Sequence, residues 1–195
     1  MRELALLTFQ TLDGVMQAPK LVDEDPTGGF VGGWADPYWD PVMQQVGRTA
    51  MAEPYDMLLG RSTYDAFAAS HGVRESEASQ GGEPGPMTSM TKYVATSRPE
   101  SLRWANSIAL EGDLRSAIES VKRASGPLLQ VHGSWQLVQA LLAEDLVDEL
   151  RLWTFPVVVG AGKRLFEPGA PRREFELVQS EPTGNGCVMG IYRRA

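Results

Sequence analysis

A strand–helix–strand pattern between Leu128 and Gly162 constrains this chain more than any other feature. A short apolar strand ends at His132, and a turn follows at Gly133-Ser134. Leu137, Val138, Leu141 and Leu142 then recur at a spacing that puts them on one face of a helix. A second apolar strand is predicted from about Leu150 to Val159, ended by Gly160-Ala161-Gly162. In such units ligands bind outside the carboxyl ends of the strands, with phosphates at helix N-termini. Gly133-Ser134 stands at that place and is expected to face a dinucleotide cofactor.

The rest of the chain extends the pattern. Residues 3 to 10 read as a buried strand, ended by Thr11-Leu12-Asp13-Gly14. The long segment Val15 to Trp39 carries Phe30, Trp34, Tyr38 and Trp39, aromatics that disordered linkers lack. It is read as an ordered loop covering a pocket. Asp40-Pro41 starts a helix, with an acceptor at N-cap and Pro at N1. Tyr55 to Leu59 is a strand, and Gly60-Arg61-Ser62-Thr63 turns into a helix with Tyr64, Phe67 and Ala68 inward. His71 to Met90 is rich in Gly, Ser, Glu and Pro and reads as a mobile excursion, not a domain boundary. Lys92 to Thr96 and Asn106 to Leu110 are strands, and Asp113 caps another helix. About Glu174 to Glu181 and Cys187 to Arg193 form a terminal hairpin. Asp148 and Glu149 precede a strand and are expected in solvent or at a subunit contact. The sum is about eight strands and four helices, mostly alternating. The expected class is α/β: a three-layer αβα sandwich on a mixed, mostly parallel sheet with a C-terminal antiparallel hairpin, in a single domain over 1–195.

Charge excludes several function classes. Lys plus Arg is 18 against 25 Asp plus Glu, a net charge of −7 without a basic block. Nucleic acids and anionic membranes both need a positive footprint, so neither is an expected partner. Cys187 is the only cysteine, so no disulfide closes within the chain. It is read either as a nucleophile or as a small residue of the last strand. One Cys and two His, His71 and His132, do not make a zinc site. The apolar start Leu4-Ala5-Leu6-Leu7 is shorter than a signal-peptide core, and no run reaches the ~20 residues of a membrane span. A cytoplasmic protein is expected.

Three strand ends carry the chemistry. Gly60-Arg61-Ser62-Thr63 offers close backbone approach, a guanidinium and two hydroxyls, which suit a pyrophosphate. Thr96-Ser97-Arg98 adds hydroxyls and a second guanidinium, equipment for the 2′-phosphate that separates NADPH from NADH. Gly133-Ser134-Trp135 adds another helix start. The G-x-G-x-x-G fingerprint is absent, so a standard Rossmann site is excluded.

Several segments then carry a resemblance. They are Thr11-Leu12-Asp13-Gly14, Leu58 to Tyr64, Lys92-Tyr93-Val94 with Ser97-Arg98, Gln130 to Ser134, and the tract Asp145 to Phe166. In these the chain resembles the dihydrofolate-reductase-like family, and within it the C-terminal reductase domain of bacterial riboflavin biosynthesis proteins and their stand-alone relatives. The resemblance implies NADPH bound across the central strand ends. It implies hydride transfer to a small heterocyclic substrate, of the 5-amino-6-(5-phosphoribosylamino)uracil reductase or dihydrofolate reductase type, and a homodimer.

The departures narrow the substrate. Dihydrofolate reductases place a carboxylate in the first helix; here Trp39 is followed by Val42, Met43, Gln44 and Gln45. A phosphoribosyl group calls for cations; between Val15 and Gly47 the only one is Lys20, against five acids. Relatives commonly carry a second glycine where Trp135 stands, and its indole would stack on a ligand, narrow the groove or pack at the helix start. Asp13 is the candidate catalytic carboxylate, orienting substrate or relaying a proton, with turn stabilisation before Gly14 as the alternative. Leu12, Trp34 and Trp39 are candidate substrate contacts. His132 is a proton-donor candidate or a packed strand-end residue. A non-catalytic nucleotide-binding member of the same fold is the alternative function.

Overall fold

The structure is a computed structural model and describes residues 1–50, 52–72 and 86–195. Most of the Gly- and Ser-rich stretch between His71 and Met90 therefore lies outside the described residues. The chain divides into two compact units.

The first unit comprises Met1–Leu4 and Tyr55–Leu146. It holds strands β2 (Tyr55–Gly60), β3 (Lys92–Ala95), β4 (Ser107–Ala109) and β5 (Leu128–Val131). Their order is β4-β3-β2-β5, all parallel, with Leu58 opposite both Tyr93 and Val131. Helices α2 (Arg61–Phe67), α3 (Leu114–Arg123) and α4 (Trp135–Ala143) make the connections. Every residue of β2 is buried, as expected for a parallel strand covered on both faces. α4 buries Leu137, Val138, Leu141 and Leu142, the face its periodicity predicts. Asp113 caps α3 by accepting from the Ser116 N–H at 3.0 Å. Two buried cations have full sets of partners. Lys92 Nζ donates to the carbonyls of Thr88, Met90 and Ala105 and lies 4.3 Å from the Trp104 ring centre. Arg2 pairs with Asp56 at 2.5 Å.

The second unit comprises Ala5–Pro54 and Val147–Ala195. Here β1 (Leu4–Thr11) runs parallel to β6 (Glu149–Phe155). β8 (Val188–Arg194) then pairs antiparallel with both β6 and β7 (Phe175–Pro182), giving the predicted hairpin. The core gathers Trp34, Met43, Trp153, Phe155, Cys187 and Met189. Phe155 sits at its centre, fully buried, with Phe9 and Trp34 each edge-on at 5.4 Å. Cys187 is buried in this core and burial raises its thiol pKa, which favours the small-residue reading over the nucleophile. Helix α1 (Pro41–Ala50) starts at Asp40, whose carboxylate accepts from the Met43 N–H at 2.6 Å. Asp40→Ala should lower stability by about 1 kcal/mol, read as a fall in the urea midpoint with an unchanged slope.

The long loop is ordered, with single 3-10 turns at Thr27–Gly29 and Asp36–Tyr38. Buried Gln17 organises it. Its amide nitrogen donates to the Asp25 and Thr27 carbonyls, its amide oxygen accepts from the Lys163 N–H, and its main-chain carbonyl accepts from the Trp34 indole N–H.

Two expectations need correction. β6 ends at Phe155 and does not continue to Val159. Pro156 brings no N–H to a ladder, and the Val157 N–H turns back to the Phe155 carbonyl. Glu149 is not solvated. It is 2% exposed, accepting from Arg151 at 2.6 Å and from Arg193, its register partner on β8, at 3.0 Å. Two guanidiniums offset the cost of burying that charge.

Candidate active site

Within the first unit the carboxyl ends of β2, β3 and β5 open onto a cleft of about 500 Å³. Gly60, Arg61, Ser62, Arg98 and Ser134, drawn from all three predicted turns, line it. A cavity of this size falls in the range of small-ligand sites. The turns after β2 and β5 meet closely: the Gly60 N–H donates to the Gly133 carbonyl at 3.0 Å. A Cβ on Gly60 would stand 2.2 Å from Ser134 Oγ and 2.8 Å from Ser134 N, so only glycine lets these turns approach. Gly133 has φ +127°, and a Cβ there would lie 2.8 Å from Thr63 Oγ1. The Gly133–Ser134 peptide is cis. Ser134 is the N-cap of α4 and makes no side-chain cap bond.

The two guanidiniums of the cleft differ. Arg61 is committed: its Nε donates to both carboxylate oxygens of Asp65, at 2.8 and 2.9 Å. Its Nη1 reaches Ser101 Oγ at 2.5 Å and lies 3.4 Å from both Thr96 Oγ1 and the Arg98 carbonyl. The hydrogen bonds to Asp65 hold the Arg61 pKa above its ordinary value. Arg98 has its main chain held, the N–H by Thr96 Oγ1 at 3.1 Å and the carbonyl by Ser101 Oγ at 2.7 Å. Its guanidinium has no hydrogen-bond or ion-pair partner among the described residues.

The other predicted cofactor residues stand beside the cleft. Thr63 supports Gly133, Thr96 supports Arg98, Ser97 is exposed, and Trp135 is half-buried as the first residue of α4. None of these four, nor Gly133, belongs to the lining. Sequence reasoning missed Asp65, Ala95, Leu114, Gln136, Leu137 and Ala140, which do. The signal for Asp65 was available, since it stands four residues after Arg61 on a helix. His132 packs between the Tyr55 and Phe67 rings, at 5.9 and 5.8 Å.

The residues expected to meet substrate lie in the second unit. Asp13 accepts from Thr11 Oγ1 at 2.6 Å, from the Gly160 N–H at 2.9 Å and from the Val159 N–H at 3.3 Å, with Arg164 3.7 Å away. The Thr11 hydroxyl first, and then these two N–H groups, outweigh partial burial and hold its pKa below the ordinary value. Asp13 is therefore an anion at neutral pH, suited to accept a hydrogen bond rather than donate a proton. A carboxyl with a lowered folded pKa adds stability that is complete above its unfolded value, about 3.9, and is lost as pH falls through the folded one. Asp13→Asn should flatten the loss of stability below about pH 4, read by urea unfolding at a series of pH values. Leu12 is exposed, and Trp39 is 42% exposed against Phe9 with Lys20 Nζ 4.9 Å from its ring centre. Trp34 is a core residue that anchors the loop: its N–H is bonded to Gln17 and its ring is packed on Phe155.

A family model, the RibD C-terminal domain, matches residues 2–189. The chain belongs to the RibD C-terminal domain family. Two Bacillus subtilis (strain 168) proteins, both uncharacterized, are similar to it. YwjB is 28% identical over 137 residues, 70% of this chain and 72% of its own length. YyaP is 29% identical over 104 residues, 53% of this chain and 55% of its own. Solved structures show the same fold. A Shewanella sp. PV-4 protein named "Putative riboflavin biosynthesis protein" aligns with a TM-score of 0.70 at 21% identity, over 99% of each chain. Dihydrofolate reductase from Enterococcus faecalis, solved with NADP(H) and RAB-propyl, aligns with a TM-score of 0.58 at 14% identity, over 98% of this chain and 96% of that one. The α/β, dihydrofolate-reductase-like architecture read from the sequence is thus the architecture of this RibD C-terminal domain. No helix among the described residues is long and apolar enough to cross a membrane. Among those residues no group of three or more His, Cys, Asp or Glu could hold a metal ion.

Proposed function

We propose that this RibD C-terminal domain is an NADPH-dependent reductase that delivers a hydride to a small, flat, uncharged heterocycle or carbonyl compound. One observation carries the reading: three strand-end turns meet at one cleft lined by Gly60, Ser62, Ser134 and Arg98, the last with a guanidinium that has no partner among the described residues. The residues fit a dinucleotide. Gly60 keeps the cradle free of a side chain, Ser62 and Ser134 bring hydroxyls and helix-start N–H groups for a pyrophosphate, and Arg98 brings the charge for a 2′-phosphate. Family membership and the NADP(H) of the enterococcal reductase support this assignment.

When bound, the nicotinamide would supply the hydride; the protein supplies placement and water exclusion. Asp13, anionic and bonded to the 159–160 backbone, would fix the turn after β1 and accept a hydrogen bond from substrate. The substrate class follows from what the second unit lacks among its described residues. The exposed face of α1 carries Val42 and Gln44 with no carboxylate for a pterin, and Lys20, the cation of the long loop, lies over the Trp39 ring. Both features argue against dihydrofolate and against a phosphoribosyl uracil. The working assembly would be a homodimer in the cytoplasm, and light scattering distinguishes dimer from monomer.

The test is a fluorescence titration with NADPH, followed by a panel of pyrimidines, pterins and quinones scored for NADPH oxidation. Absence of NADPH binding at millimolar concentration would refute the proposal. Binding without oxidation of any panel member would favour the non-catalytic reading, and turnover of an uncharged ring would establish the reductase.

A further inference from the structure

We propose that Asn185-Gly186, in the turn between β7 and β8, is a site of spontaneous deamidation that the fold holds off, and that reaction there unties the hairpin from the turn at Asp36–Tyr38.

A peptide nitrogen attacks the side-chain amide of a preceding asparagine most readily when it belongs to glycine, which puts no side chain in the way. The chain has two asparagines, and only Asn185 precedes a glycine; Asn106 precedes Ser107. The hairpin depends on both members of the reactive pair. The Thr183 N–H donates to the Cys187 carbonyl at 2.8 Å and the Gly186 N–H to the Thr183 carbonyl at 3.1 Å, which closes the turn. Gly186 turns the chain with φ +88°, a conformation that other residues rarely adopt. Asn185 serves partners of opposite kind. Its amide nitrogen donates to the Tyr38 carbonyl. Its amide oxygen accepts from the Thr183 hydroxyl, and from the Cys187 N–H at 3.5 Å. A neutral amide offers donor and acceptor together, whereas an ionised aspartate only accepts.

These bonds oppose the reaction. Asn185 Cγ must first turn onto the Gly186 nitrogen. That nitrogen then bonds to Cγ and gives up its proton, and the side-chain nitrogen leaves as ammonia. Water opens the resulting cyclic imide at either carbonyl, leaving aspartate or its isomer with the main chain routed through the β-carbon. In the folded chain the Gly186 N–H is engaged and both ends of the amide are held, so reaction has to wait for local opening of the turn.

The product meets the same surroundings with a different charge. No donor is left for the Tyr38 carbonyl, and a carboxylate beside a carbonyl oxygen is repelled. Tyr38 belongs to the long loop: its N–H donates to the Ala35 carbonyl at 3.1 Å, and the Ala35 N–H donates to the Pro19 carbonyl at 2.9 Å. A bond lost at Asn185 therefore loosens a chain of contacts that ends next to exposed Lys20.

The full chain is aged in mildly alkaline buffer, folded or in urea, and its peptides are mapped by mass for replacement of an amide NH2 by OH. Deamidation should fall on Asn185 and spare Asn106, and it should run at least about tenfold slower in the folded chain than in urea. Thr183→Val keeps the main-chain bonds and removes the hydroxyl from the amide; it should speed the folded reaction about fivefold. Equal rates in the folded and unfolded chain, or reaction at Asn106 in place of Asn185, would overturn the proposal. The consequence is read on aged wild-type chain, separated from unreacted chain by its added negative charge. Trypsin should cut the aged form after Lys20 about tenfold faster, and Asn185→Asp should behave alike. Unchanged cleavage there would overturn the link to the Asp36–Tyr38 turn.

Discussion

Arg98→Ala should weaken NADPH about 20-fold and NADH less than about twofold, measured by parallel fluorescence titrations. A hydrogen bond to a charged group is worth ~1.5–3 kcal/mol, and each ~1.4 kcal/mol is tenfold in affinity. The exposure of Arg98 puts the effect toward the lower part of that range, and added salt should shrink it further. Folding stability should not change, because the guanidinium makes no bond to the described residues. Equal weakening of both cofactors would mean that Arg98 meets a part of the ligand the two share.

The second large effect belongs to Gly60→Ala. The new methyl group would meet Ser134 Oγ, which a rotamer change can relieve, and also Ser134 N, which it cannot. The turns after β2 and β5 would have to separate, breaking the 3.0 Å bond from the Gly60 N–H to the Gly133 carbonyl. Overpacking of this kind costs about 1–3 kcal/mol. Because those turns frame the cleft, NADPH and NADH should weaken together, by about tenfold or more. A common loss here and a selective loss at Arg98 would separate the cradle from the charge reader. A variant as stable as wild type with unaltered binding would show that the two turns have room to spare.

The α4 face was legible because four leucines and valines at helical spacing admit one amphipathic solution. The three turns that border the cleft were legible because glycine or hydroxyl residues follow apolar strands in each. The end of β6 was not. Val157-Val158-Val159 has the composition of a strand, yet the polar groups around it serve a turn: the Leu12 N–H goes to the Val157 carbonyl, and the Val159 and Gly160 N–H groups go to Asp13. Pro156 was the clue. Glu149 was misread because, although Arg151 stands two residues away, its second partner is distant in sequence. Arg193 faces it only through antiparallel register, 44 residues away. Arg61 and Arg98 looked equivalent in the sequence, and only the structure shows Arg61 bonded to Asp65 while the Arg98 guanidinium has no partner among the described residues. Trp34 was legible as an aromatic of an ordered loop, and the structure adds its anchoring, with the indole N–H on the Gln17 carbonyl and the ring on Phe155.

Gln17 has a bearing on how such a protein can diversify. It orders the long loop through a neutral amide that grips carbonyls and an N–H group of the main chain, which every residue type except proline presents. Val22 and Val31 project outward from that loop, 64% and 71% exposed. Their side chains can be exchanged without disturbing the grip, so new surfaces can be tried on a frame that stays in place. A library randomised at these two positions should retain wild-type melting behaviour across most members, whereas Gln17→Leu should disorder the segment whatever surrounds it. Conformation and chemistry would then be inherited separately, the first from a single amide and the second from whatever the outer positions hold.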